Sequence, residues 1–120
     1  MKIEIKDFYS PEVDEVWLWE PDDINEVSFL LEISIGEVGS DGCDIFQVSI
    51  VTPKGINLNK DFLISDRATI VIKSFDWEQI VSTLENVVKR CACSNWVDSV
   101  AKLQRFFLWE YEDYAYETVR

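Results

Sequence analysis

The sequence predicts an α+β fold, an antiparallel sheet of four to six strands with two helices packed on one face. Three observations lead there. Residues 27–35, "VSFLLEISI", alternate so that Val27, Phe29, Leu31, Ile33 and Ile35 share a face, and residues 45–52 do the same with Phe46, Val48 and Ile50. Trp77, Ile80, Val81, Leu84, Val87, Val88 and Cys91 then fall at helical spacing. A second stripe of the same period follows at Trp96, Val100, Leu103 and Phe107.

The elements follow in order. Residues 2–8 alternate Ile3 and Ile5 against Lys2, Glu4 and Lys6, which is a strand. "SPEVDEVWLWEPDDINE" over 10–26 holds Pro11, Pro21 and many acids, and reads as loop. Pro53 ends the strand at 45–52, and "KGINLNKDFLISDR" reads as a loop with little regular structure. "TIVIK" at 69–73 is a short strand. Asp76 opens the first helix as N-cap, with Gln79 three residues on as in a capping box. Ser94 or Asn95 caps the second helix. "LWEYEDYAY" at 108–116 alternates Trp109 and Tyr111 against Glu110 and Glu112 and reads as a strand. Trp77 and Trp96 lead the two apolar stripes and are expected to be buried.

Between the two long strands lies "IGEVGSDGCDIF", which holds Gly36, Gly39 and Gly42 among Glu37, Asp41 and Asp44. A phosphate-binding loop would feed a helix N-terminus and usually carry a lysine, whereas a strand and negative charge follow here. A calcium loop needs closer carboxylates and a terminal bidentate Glu. The segment reads as a hairpin connection, with glycines supplying unusual backbone angles and acids on an exposed tip.

The 120 residues are enough for one domain, 1–120. A chain of this size buries roughly 65% of its unfolded surface, and with five Trp, seven Phe and four Tyr a packed core is expected. No apolar run is long enough to span a membrane, and the opening "MKIEIKDFYS" lacks a signal-peptide core, so a cytoplasmic protein without membrane contact is expected. Cys43, Cys91 and Cys93 match neither a redox nor a zinc spacing, and reduced thiols are expected, with no structural disulfide, metal or cofactor.

Charge is concentrated. The net is −12, of which residues 1–44 carry −11 and residues 106–120 carry −3, while 45–105 carry +2. Nucleic-acid binding would need the opposite sign, so none is expected, whereas a basic partner suits this one. The chain has no histidine, which excludes the Ser-His-Asp and Cys-His arrangements. Glu110 and Glu112 on a strand would point the same way about 7 Å apart, a spacing that fits solvated acids better than any particular acid–base mechanism. Cys91 lies on an apolar stripe and reads as core. Trp17 and Trp19 sit in an acidic loop, where they either cap the sheet edge or serve an interface.

"FLLEISIGEVGSDGCDIFQVSIVTPKG", followed by a capped helix, "NWVDSVAKLQRF" and "WEYEDY", resembles the immunity protein 8 family of bacterial polymorphic-toxin systems, and the similarity runs from "MKIEIKDFYSPEVDE" onward. The resemblance implies a non-enzymatic immunity domain that binds and neutralises a cognate bacterial toxin domain of a contact-dependent or type VI system. Inhibitors of nucleases meet surfaces built for phosphate, which suits an acidic chain. The other reading is an acidic interaction module, or a nucleic-acid-mimic inhibitor of another protein, not tied to a toxin. The expected contacts are Asp22, Asp23, Glu37, Asp41, Asp44, Glu110, Glu112 and Asp113, with Trp17 and Trp19 next; the C-terminal acids rest partly on the resemblance of "WEYEDY".

Overall fold

The computed structural model describes residues 1–58 and 68–112. Five strands and two helices make an α+β fold. The strands are β1 (Ile3–Tyr9), β2 (Ser28–Glu37), β3 (Asp44–Val51), β4 (Thr69–Val71) and β5 (Leu108–Trp109). The helices are α1 (Trp77–Arg90) and α2 (Trp96–Leu103), and single 3-10 turns lie at Val16–Leu18 and Gly55–Leu58.

The strand order is β1-β2-β3-β4, with β5 also paired to β3. The two long strands form an antiparallel ladder from Ser28↔Val51 to Ile35↔Asp44. This register puts Phe29, Leu31, Ile33 and Ile35 beside Phe46, Val48 and Ile50 on one face, and all seven are buried. β1 joins β2 antiparallel, and a bulge between Ile5 and Asp7 shifts the phase of its pairing. The extra residue lets Ile5 face Ile35 and Phe8 face Ile33, so a strand whose apolar positions change phase keeps both on the core side.

The sheet is mixed rather than antiparallel throughout, which corrects the expectation. β4 pairs parallel with β3 at Ser49↔Thr69, Ile50↔Ile70 and Val51↔Val71. The connection from Thr52 to Ala68 is long enough to carry the chain back to the same end of β3, as parallel pairing requires. Strand direction across a long connection leaves no trace in alternation. Positions 59–67 of the expected loop lie outside the described residues.

Both helices begin where their caps predict. Asp76 Oδ1 accepts from Gln79 N at 3.3 Å, and Asn95 Oδ1 accepts from Asp98 N at 2.8 Å. Ile80, Leu84, Val88, Val100, Leu103 and Phe107 join the inward strand residues in one buried cluster. Trp77 and Trp96 are only half-buried, against expectation. Each stands at the first position of its helix, where one side of the ring faces the core edge and the other faces water. Trp77 meets Phe8 edge-on at 5.1 Å between ring centroids.

The segment before β2 is anchored rather than loose. Trp19 packs edge-on against Phe29 and Phe75, with centroids at 5.4 and 5.0 Å, and Phe75 N donates to Ile24 O at 2.7 Å. Thr52 is a buried junction: its Oγ1 accepts from Val27 N and Gly55 N, both at 3.0 Å.

Candidate interaction surface

The hairpin between β2 and β3 ends in an acidic tip. Gly39 takes a positive φ of 86°, which turns the chain. Gly36 allows a close backbone approach, since a Cβ there would lie 2.1 Å from Gly42 O. Lys6 reaches up from the β1 bulge, and its ammonium donates to Glu37 O at 2.9 Å and Ser40 O at 2.7 Å. The tip is thus held through backbone carbonyls. The Glu37 and Asp41 side chains remain exposed.

β5 delivers the C-terminal acids to the same end of the sheet. Its register is Phe46↔Trp109 and Gln47↔Leu108. Trp109 Nε1 donates to Asp44 Oδ2 at 3.0 Å. Glu110 N donates to Ile45 O at 3.0 Å, and the Glu110 carboxylate accepts from Ile45 N. Tyr111 stacks edge-on with Trp109 at 5.5 Å. The negative charge of Glu110, together with a hydrogen bond to its carboxylate, pushes the Tyr111 phenol above its usual pKa, and Asp44 adds to the rise. Gln104 Nε2 donates to Glu112 Oε1 at 3.1 Å, which ties the segment back to the end of α2. The strand stops at Trp109 and a turn follows. Glu110 and Glu112 therefore do not line one strand face, which corrects the expected strand over 108–116. Asp113, and positions 113–116 of that strand, lie outside the described residues.

Asp22, Asp23, Trp17 and Trp19 lie toward the opposite end of the ten-residue β2, where Trp19 packs on Phe29. Asp23 Oδ1 accepts from Asn25 N at 2.9 Å and shapes a turn. The Trp17 ring is half exposed, and Leu18 and Ile24 of the same segment are exposed as well. The Trp19 ring is occupied in packing against Phe29 and Phe75. The expected contacts thus separate into two groups, one at each end of the sheet.

The sequence model of the immunity protein 8 family matches residues 3–114. The chain belongs to that family. No curated protein and no solved structure matches it. The family match takes in the hairpin tip, both helices and β5, so every described element of the acidic corner lies within immunity protein 8 sequence.

Sequence reasoning missed the apolar residues at this corner. Val38, Ile45, Leu108 and Tyr111 are all exposed there. Ile45 carried a signal: it stands in the polar phase of β3 with Gln47 and Ser49, where a polar residue is expected. Leu108 pairs with Gln47 and so shares that face. Among the described residues no group of three or more His, Cys, Asp or Glu could hold a metal ion, and no helix is long and apolar enough to cross a membrane.

Proposed function

We propose that this protein binds and neutralises a cognate bacterial toxin domain through the acidic corner formed by the β2–β3 hairpin and the segment after β5. The observation that carries the reading is the gathering of Asp44, Glu110 and Tyr111 where β5 meets the start of β3, with exposed Ile45 and Leu108 on the outer face of the same strand pair and Glu37 and Asp41 at the adjoining tip. Small apolar groups ringed by charge are the usual anatomy of a protein interface. The family supplies the partner class, and the charge supplies its sign. A toxin with a basic working surface, as a nuclease must have to hold phosphates, is drawn to the corner and covered there. Trp17, Asp22 and Asp23 at the far end form a second, smaller candidate contact. Trp19 supports that segment from within. The role is that of an inhibitor in the cytoplasm, not of an enzyme.

The test uses the protein encoded next to this chain's gene. Co-expression is expected to protect cells from that protein's toxic domain, and the two are expected to co-purify, with affinity falling as salt rises. Absence of both protection and complex formation would remove the toxin-binding reading.

A further inference from the structure

The end of α1 and the end of α2 with the turn after it border an open, shallow cavity of about 180 Å³ lined by Arg90, Lys102, Arg105, Cys91, Val87 and Phe106. Three of its six lining residues are cations, in a chain whose net charge is −12. Among the described residues the ion pair at contact distance joins Lys6 to Glu4, and no described acid lies within ion-pair distance of these three cations. All three residues are exposed and line the same cavity. The Cys91 thiol on the cavity floor is pushed above its usual pKa by burial, and the positive fields of Lys102, Arg90 and Arg105 each oppose that rise. Phe106 and Val87 supply apolar walls.

Helix ends explain part of this. Arg90 lies in the last turn of α1 and Lys102 in that of α2, where cations offset the dipole. Arg105 lies beyond α2, and dipoles do not account for three cations from two elements meeting over one cavity. Two guanidinium forks and an ammonium around a small concave site match the geometry of a carboxylate or phosphate, whose oxygens accept several charge-assisted hydrogen bonds at once.

We propose that this cavity is a binding site for a compact oxyanion, a phosphate or carboxylate group, held by Arg90, Lys102 and Arg105. The site is of opposite sign to the acidic corner, so it gives the protein a separate means of binding an anionic ligand or an anionic group of its partner.

The experiment titrates the full chain with inorganic phosphate, and separately with acetate, at low and constant ionic strength balanced with chloride. Binding is read by calorimetry and by backbone amide shifts. Saturable one-to-one binding is expected, with shifts centred on Arg90, Arg105 and Phe106. Phosphate alone binding assigns a tetrahedral anion, acetate alone a carboxylate, and both a general oxyanion site. The Arg90→Gln/Lys102→Gln/Arg105→Gln variant is expected to lose binding, and Arg105→Gln alone to weaken it about tenfold or more, as loss of a charge-assisted partner implies. The side chains are exposed, and unchanged circular dichroism checks that the variants fold; if the triple variant does not, the single variant decides. No saturation by either anion beyond the chloride control, or equal binding by the folded variants, would overturn the proposal.

Discussion

The indole of Trp109 donates to the carboxylate of Asp44 at 3.0 Å, between residues 65 apart in sequence. This bond fastens β5 to the start of β3 and sets the C-terminal acids beside the hairpin. Trp109→Phe keeps an aromatic ring, though a smaller one, and removes the donor. It is expected to destabilise the protein by about 1 kcal/mol, because Asp44 is half-buried and water partly replaces the lost partner. Asp44→Asn keeps an acceptor and should cost less. Urea unfolding of both variants, compared at constant slope, checks the order.

A buried hydroxyl organises the other end of the sheet. Thr52 is fully buried and accepts from two backbone amides, those of Val27 and Gly55. Thr52→Val preserves shape and orphans both donors, at about 1–3 kcal/mol each. Thr52→Ser keeps the acceptor and should retain most of the stability. A larger loss in Thr52→Ser than in Thr52→Val would assign the residue's importance to its methyl group.

The environment of Tyr111 predicts a late alkaline titration. Glu110 holds its pKa above the ordinary tyrosine value of about 10. A group whose pKa is raised on folding stabilises the folded state below its unfolded pKa, and the contribution disappears as pH rises through the folded pKa. The loss therefore falls on the alkaline side, above about pH 10. Spectrophotometric titration of phenolate should show a component at high pH that moves to lower pH in Glu110→Gln. An unchanged profile would mean that the two groups do not interact.

Much of the fold was legible in the sequence, for a physical reason. Alternation in β2 and β3 and helical spacing in α1 and α2 are local consequences of burying one face, and Asp76 and Asn95 cap by local geometry. The parallel placement of β4 depends on how a long connection returns, which no local pattern records. Trp77 and Trp96 were misjudged because a ring at the first turn of a helix sits at the rim of the core. A loss of about 3–5 kcal/mol is expected instead for Phe107→Ala, at a fully buried ring that meets Phe46 at 6.4 Å, and Trp96→Ala should cost less. Thermal unfolding of the pair checks this ranking. At the candidate interface, composition revealed the acids. Their separation into two ends, and the apolar centre at Ile45 and Leu108, emerge only from strand register.

The most direct measurement of the central claim is the association rate with the cognate toxin at low salt for Glu37→Lys/Asp41→Lys. These two side chains are exposed at the hairpin tip, and that tip is held by Lys6 through backbone carbonyls, so reversal is expected to leave the fold intact. If the acidic corner meets a basic toxin surface, association should slow about tenfold or more, and the difference should shrink as salt screens the charges. A folded variant that associates and dissociates at the unaltered rates would contradict the account and move the interface to the Trp17 and Asp22 end of the sheet.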